Sequence, residues 1–332
     1  MKTTIIGNGA MATVCALILS PRYPVRMWGP NAEALAMLAR ERVNERYLPG
    51  ARLPDEVELT ADPEEALAGC ELIINAIPTQ YIRATWERFV PLVGAGVPVV
   101  SVSKGIEQQT LLRPTQIVRD VLGDPARVVA SLSGPTVAEE LVHCLPATLC
   151  AASEEEPFAE ALQAMFSTHW LRTYTNTDLL GVELAGATKN VIALAAGAID
   201  GLRAGINAKS ALLARGLAEI SRLGLAMGAR QETFFGIAGV GDLATTCFSP
   251  SGRNRTCGEM LGRGRKLDEV LEAIPGVVEG VPTTRAVVAL ARQHGVEMPL
   301  TQAIHRVLFE GLDPIEGISS LMSRDLKAER VN

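Results

Sequence analysis

One lysine stands alone in a long apolar run. Residues 184 to 199 read LAGATKNVIALAAGAI, a helical pattern whose single charge is Lys189. Its neighbours one turn away, Ala185, Gly186, Ile192 and Ala193, are small or apolar. An amine in that setting either snorkels to solvent or sits in a dry pocket, where desolvation lowers its pKa toward a range useful for proton transfer. A second motif bears on that choice. Gly7-Asn8-Gly9-Ala10-Met11-Ala12 follows the β-rich run Thr3–Ile6 and opens a helix, matching G-x-G-x-x-G/A. Gly7 makes the turn, Gly9 lets a pyrophosphate approach the backbone, and Ala12 keeps helix and strand close. The helix start then offers free N–H groups and a partial positive charge. An ordinary glycine turn is the bland alternative. Together, the motifs point to a nicotinamide-dependent reductase with a lysine proton donor.

Further polar residues lie where strands or helices end. Ser103-Lys104-Gly105 follows the apolar run Val97–Val102, which places Lys104 at the carboxyl edge of a sheet, where open α/β folds bind ligands. Ser133-Gly134-Pro135-Thr136 sits similarly after Val128–Leu132. Each also fits a loop lysine or a helix cap. Downstream, Gly241-Asp242-Leu243-Ala244-Thr245-Thr246 and Gly252-Arg253-Asn254-Arg255 concentrate polar groups. The second precedes a helix, where backbone donors and a guanidinium suit a phosphate dianion; a solvated basic turn is the alternative. Val277-Val278-Glu279-Gly280 puts an acid in a glycine-bounded loop, suited to a ribose contact or to plain surface. The end of the second strand, Met27-Trp28-Gly29-Pro30-Asn31, has neither an acid for a ribose 2′-hydroxyl nor an obvious arginine for a 2′-phosphate. NAD and NADP both remain open on these residues.

The elements that must hold these groups change character along the chain. Runs Thr3–Ile6, Val25–Trp28, Val57–Thr60, Leu72–Ile77, Val97–Val102, Val128–Leu132, Ala147–Ala151 and Leu171–Tyr174 read as strands, several apolar on both faces. Helix signals lie between them, such as Asp62-Pro63-Glu64-Glu65 with a capping acid and a first-turn proline. Beyond Asp178 helical periodicity dominates, over 178–202, 207–227, 253–261, 283–294 and 300–309. The fold class is therefore an α/β, Rossmann-type doubly wound domain over 1–177 and an all-α domain over 178–332, with a cleft expected between them.

Composition sets outer bounds. The chain has 332 residues, 48% hydrophobic and 20% charged, with net charge −6, which excludes a general field for nucleic acid. Its six cysteines form no C-x-x-C pair and read as reduced, mostly buried thiols of a cytoplasmic protein. Four histidines lack metal-ligand spacing, and no metal site is expected. The apolar start could pass for a signal peptide, but Gly7-Asn8-Gly9 interrupts it. No later run is expected to reach membrane-spanning length, because Lys189 and Asp200 break the best candidate.

These blocks, taken in order, resemble the NAD(P)-dependent glycerol-3-phosphate dehydrogenases of the soluble bacterial type. The resemblance covers almost the whole chain. It rests on GNGAMAT at 7–13, SKG at 103–105, SGPTVAEEL at 133–141, ELAGATKNVIALAAG at 183–197 and GLAEISRLG at 216–224. It continues through GVGDLATTC at 239–247, GRNR at 252–255, VVEG at 277–280 and HGVEMPL at 294–300. It implies a helical second domain like that of 6-phosphogluconate dehydrogenase. It also implies reversible reduction of dihydroxyacetone phosphate to sn-glycerol 3-phosphate with NAD(P)H, in service of phospholipid synthesis.

By that resemblance Lys189 is the proton donor and acceptor, with Lys104 and Asp242 beside it in catalysis. Lys104, Gly134, Thr136, Lys189, Asn190, Asp242, Thr246, Gly252, Arg253 and Asn254 match substrate positions. Gly7, Gly9, Ala10, Met11, Ala12, Trp28, Pro30, Lys104, Ala138, Arg253, Val277 and Glu279 match cofactor positions. Gly252 stands where bacterial members commonly carry serine, and Pro30 where many carry a basic or polar cofactor contact. A related β-hydroxyacid or 6-phosphogluconate-type dehydrogenase, or a non-catalytic NAD(P)H sensor, are the competing readings; GRNR and GDLATTC argue against the first and the buried-helix lysine against the second. No nucleic-acid partner or membrane insertion is expected, and the apolar helical domain is compatible with a homodimer.

Overall fold

The computed structural model describes residues 1–326 and 328. The chain divides into two units, one of residues 1–103 and 114–179, the other of 104–113 and 180–332. The sequence suggests contiguous domains meeting at 177/178. Here the division falls two residues later, and segment 104–113 leaves the first unit to pack with the second. Residues 327 and 329–332 of the expected second domain lie outside the described residues.

The first unit is built on eight strands: β1 (Thr3–Ile6), β2 (Val25–Trp28), β3 (Glu58–Thr60), β4 (Leu72–Asn75), β5 (Val99–Ser101), β6 (Val129–Ser133), β7 (Ala147–Ala152) and β8 (Leu171–Asn176). They form one sheet in the order β3-β2-β1-β4-β5-β6-β7-β8. The first six run parallel, β7 is antiparallel to β6, and β8 is parallel to β7. Helices α1 (Ala10–Leu19), α2 (Ala32–Glu41), α3 (Pro63–Leu67), α4 (Ile82–Trp86), α5 (Pro114–Leu122), α6 (Ala138–Val142) and α7 (Glu156–Phe166) lie between the strands. Every residue of β1, β2 and β4 is buried, as strands covered on both faces must be. By contrast, β8 at the edge alternates buried and exposed through its first half. Ile5, Ile74, Val100 and Ala130 have no exposed surface at the sheet centre. Burial of each large side chain contributes about 1.5–3 kcal/mol. The strand order reverses between β1 and β4, which makes the loop after β1 the switch point of the sheet.

The second unit is helical: α8 (Leu179–Gly201), α9 (Ile206–Ala226), α10 (Gln231–Phe235), α11 (Asp242–Phe248), α12 (Arg253–Gly262), α13 (Leu267–Ala273), α14 (Gly280–Gln293), α15 (Pro299–Phe309) and α16 (Pro314–Met322). Five match the periodic segments within a few residues. The remaining four are short, and isolated helices of their length are not self-sustaining, so tertiary packing decides them. Helix α8 is central. Its residues Leu184, Ala187, Val191 and Leu194 join one apolar cluster, while Ala185, Ile192, Ala193 and Ala196 join another.

Contrary to the sequence expectation, α8 is long and apolar enough to cross a membrane by length and composition. However, 89% of its most apolar window is buried inside the protein, which makes it a core helix. It meets α12 at backbone distance. A Cβ at Gly197 would lie 1.9 Å from the Arg255 carbonyl oxygen, and one at Gly258 1.8 Å from that of Leu194. Only glycine permits this approach, and it brings the start of α12 beside the lysine of α8.

Candidate active site

The turn after β1 is shaped by its glycines. Gly7 has φ +124°, and a Cβ there would come 2.5 Å from the Ala76 carbonyl oxygen. Gly9 caps α1 with no side-chain hydrogen bond, and a Cβ there would meet nothing within 4 Å. The first turn of α1 carries no acid. Its N-terminus therefore faces open space with its partial positive charge uncompensated by a carboxylate. Asn44, which sequence patterning does not single out, is buried and pins the turn. Its Nδ2 donates to the Asn8 carbonyl at 2.9 Å and to Thr13 Oγ1 at 2.8 Å.

Other expected cofactor and substrate positions of the first unit fall around the carboxyl edge of the sheet. The Trp28 side chain is buried, and its indole N–H donates to the Ala61 carbonyl at 3.0 Å. Pro30 is exposed, and the adjacent Asn31 caps α2 by accepting from the Ala34 N–H. Arg26 is committed to Glu58, its Nε donating at 2.7 Å, and Arg22 to the Ala164 and Met165 carbonyls. Both arginines at the start of β2 are thus committed. Gly134, at φ +139°, follows β6, and its carbonyl accepts from the Thr136 hydroxyl at 3.0 Å. Ala138 opens α6.

The titratable groups gather in the second unit. Lys189 projects from α8 with a side chain 8% exposed. Its ammonium donates to Asp242 Oδ1 and, at 2.7 Å, to Thr246 Oγ1. Asp242 and Thr246 lie one turn apart on α11, hence on one face. Lys104 Nζ donates to the other Asp242 oxygen at 2.7 Å. Asp242 is 2% exposed, so one buried carboxylate serves two lysines. A π-helical turn, Ile237–Gly241, leads straight into α11. Such turns recur at functional sites because they re-aim the next residues. A Cβ at Gly239 within it would lie 2.1 Å from the Phe234 carbonyl oxygen, so the turn depends on glycine.

The electrostatics follow from burial and these contacts. Burial draws the Lys189 pKa down to about 8; the Asp242 carboxylate works against this, and the Lys104 ammonium adds to it. Burial alone would raise the Asp242 carboxyl, but Lys104 and Lys189 outweigh it and hold the carboxyl below its ordinary range. The result is a carboxylate anchoring two cations, one of them an amine that can both give and take a proton near neutrality.

A chain of amides surrounds this centre. Asn190 Nδ2 donates to the Lys104 carbonyl at 3.2 Å and to Gly186 at 3.5 Å, while its oxygen accepts from Asn254 Nδ2 at 3.0 Å. Both Asn190 donors are thereby used within the protein. The Asn254 oxygen accepts from the Gly280 N–H at 2.8 Å, tying in the 277–280 loop that carries Val277 and Glu279. Gly252 caps α12 without a side-chain bond, and Arg253 begins it. The exposed Arg253 guanidinium lies over Gly276, where a Cβ would come within 2.8 Å of Nη1. Among the described residues it meets no acid. An apolar cavity of about 1260 Å³ between α9, α15 and α16 is lined by none of Lys104, Lys189 or Asp242.

Of the expected residues, Lys104, Lys189, Asn190, Asp242, Thr246 and Asn254 thus form one bonded cluster, with Gly252, Arg253, Val277 and Glu279 on segments tied to it. Gly7, Gly9, Ala10, Met11, Ala12, Trp28, Pro30, Gly134, Thr136 and Ala138 belong to the other unit. Missed from sequence are Asn44 and an ion pair between Arg113 and Glu183 at 2.5 Å. A lone polar residue in a non-repeating segment has no period to reveal it.

Comparison with known proteins gives a consistent result. Residues 2–159 match the family model described as NAD-dependent glycerol-3-phosphate dehydrogenase N-terminus, and residues 178–319 the C-terminus of the same family. A glycerol-3-phosphate dehydrogenase (NAD(P)+) of Geobacillus thermodenitrificans is 46% identical, over 98% of this chain and 96% of its own length. One of Mycobacterium tuberculosis is 44% identical, over 98% and 97%. The crystal structure of glycerol-3-phosphate dehydrogenase from Coxiella burnetii, 36% identical, superposes with a TM-score of 0.93 over 97% of this chain and 99% of that one.

Proposed function

The chain belongs to the NAD-dependent glycerol-3-phosphate dehydrogenase family, and from that premise we propose that it reversibly reduces dihydroxyacetone phosphate to sn-glycerol 3-phosphate with NAD(P)H. The observation that carries this reading is the Lys189 amine, held dry against Asp242 and Thr246 with Lys104 on the same carboxylate. A ketone reduced to an alcohol needs one proton, and an amine with a pKa of about 8 is matched to supplying it near neutral pH.

The residues fit a dinucleotide. Gly9 leaves open the space a Cβ would fill at the N-terminus of α1, and Gly7 sets the turn that presents it. When bound, the nicotinamide supplies the hydride for the ketone carbon. Ala10, Met11 and Ala12 line the start of α1, with Pro30, Ala138, Val277 and Glu279 as further contacts; Trp28, which the resemblance also assigns to the cofactor, is buried and offers it no surface.

Lys189 protonates the forming alkoxide, and in reverse accepts the hydroxyl proton. Lys104 draws charge toward the same oxygen. Asp242 holds both ammonium groups in place, so neither has to be ordered when substrate arrives. Arg253, at the start of α12 and with no acid partner among the described residues, grips the phosphate with the backbone N–H groups behind the Gly252 cap. Asn254 has one N–H left for substrate, Thr246 orients Lys189, and Asn190 fixes the Lys104 backbone. Gly134 and Thr136 complete the substrate set. This remote grip on the phosphate orients the ketone.

We assign the enzyme to the cytoplasm and to the supply of glycerophospholipid synthesis; the burial of Cys15, Cys150, Cys247 and Cys257 agrees with a reducing compartment. A homodimer is part of this reading, supported by the exposed apolar Ile315 and Met322 of α16. Steady-state assays with NADH and NADPH against dihydroxyacetone phosphate test the reaction. Oxidation of either cofactor dependent on this ketone is expected, and cofactor binding without turnover would overturn the proposal.

A further inference from the structure

Segment 104–113 is a strap. The chain leaves the first unit after Ser103, packs with the second, and returns at Pro114. It carries Lys104 at one end and Arg113 at the other. Both ends are held by α8. At the Lys104 end, Asn190 donates to the backbone carbonyl of Lys104 at 3.2 Å. At the far end, the Arg113 guanidinium donates to Glu183 Oε2 at 2.5 Å. Glu183 and Asn190 are seven residues apart, two helical turns, and therefore share one face of α8.

Between the two ends the strap is tightly folded. Ile106 is fully buried in the cluster that contains Leu184, Ala187 and Val191. The Glu107 N–H donates to the Leu112 carbonyl at 3.0 Å and the Leu111 N–H to that of Glu107 at 2.9 Å. Leu111 adopts φ +61°, a left-handed conformation that costs free energy for a branched side chain. Strain of that kind persists only where the surrounding structure over-determines the backbone.

We propose that the Arg113–Glu183 ion pair is a positioning device for the reaction assigned above, clamping the strap so that Lys104 meets Asp242. Glu183 is 1% and Arg113 11% exposed at the side chain, so water does not substitute for either partner. A buried pair of this type is weak evidence for stability, since its desolvation cost is comparable to its attraction, but its geometry is demanding. The fork of an arginine fixes direction as well as distance. With the far end released, the strap that carries Lys104 loses one of the contacts that fix it to α8, and a shift of about 1 Å is enough to degrade an active-site geometry.

The proposal rests on the dehydrogenase reading, and a double-mutant cycle separates the two. Glu183→Gln is expected to lower kcat for dihydroxyacetone phosphate reduction about tenfold in the parent but less than about twofold in a Lys104→Ala background, the mark of residues acting through one another. Arg113→Met and Arg113→Lys run the same test should Glu183→Gln fail to fold, with about a tenfold loss for Met and recovery to within about threefold for Lys. Equal losses in both backgrounds from an active parent would overturn the clamp alone. A parent chain without turnover would overturn the dehydrogenase reading and the clamp with it.

Discussion

Lys189 and Lys104 meet at opposite oxygens of a single carboxylate, that of Asp242, although one lysine comes from the longest helix and the other from a strap 85 residues earlier in the chain. Two ammonium groups this close would repel strongly in a buried setting without the acid between them. The arrangement keeps both cations in place, while burial leaves Lys189 easier to deprotonate than an ordinary exposed amine.

Removing that amine should remove the proton. Lys189→Met keeps the apolar bulk of the side chain and leaves Asp242 paired with Lys104. It is expected to lower kcat by on the order of a hundredfold or more, since a positioned general acid contributes about 10²–10⁴. Steady-state kinetics checks this, with a melting curve to show that the fold is retained.

Asp242→Asn should move the pH dependence in a defined direction. Asp242 raises the Lys189 pKa by its charge and by its hydrogen bond, and Lys104 lowers it. Loss of the carboxylate removes the first effect and leaves the second. The midpoint for glycerol 3-phosphate oxidation should therefore fall below about 8. An upward shift in the kcat/KM profile would contradict the assigned contacts.

Arg253→Ala should act on binding. A charge-assisted hydrogen bond contributes about 1.5–3 kcal/mol, so KM for dihydroxyacetone phosphate should rise roughly tenfold to 150-fold. Turnover at saturation should change far less. Initial rates over a range of ketone phosphate, at saturating cofactor, separate the two.

Much of this was legible in the sequence because it is periodic or punctuated. All eight strands follow from short β-rich runs, several of them apolar, bounded by turns, and the candidate lysine from a single charge in an apolar helix. The glycine turn after β1 follows from its spacing. What escaped detection is set by tertiary contact. Segment 104–113 reads as part of the α/β domain because its neighbours in sequence are, yet Ile106, Asn190 and Glu183 draw it to the helical unit. The short helix α11 follows a glycine-rich stretch with no helical period of its own, and the π turn before it is decided by Gly239 passing Phe234. Arg22 and Arg26 could not be set aside as phosphate ligands from sequence; their partners, the Ala164 and Met165 carbonyls and Glu58, are distant in the chain.

The pH profile of the unmodified enzyme bears on the central claim most directly. Oxidation needs Lys189 neutral to accept a proton, so kcat/KM for glycerol 3-phosphate should rise about tenfold per pH unit and level off near the Lys189 pKa of about 8. Reduction needs it charged and should decline above the same point. An oxidation profile that keeps climbing to about 10.4, the ordinary lysine value, would show that the amine is not held dry and would contradict the account.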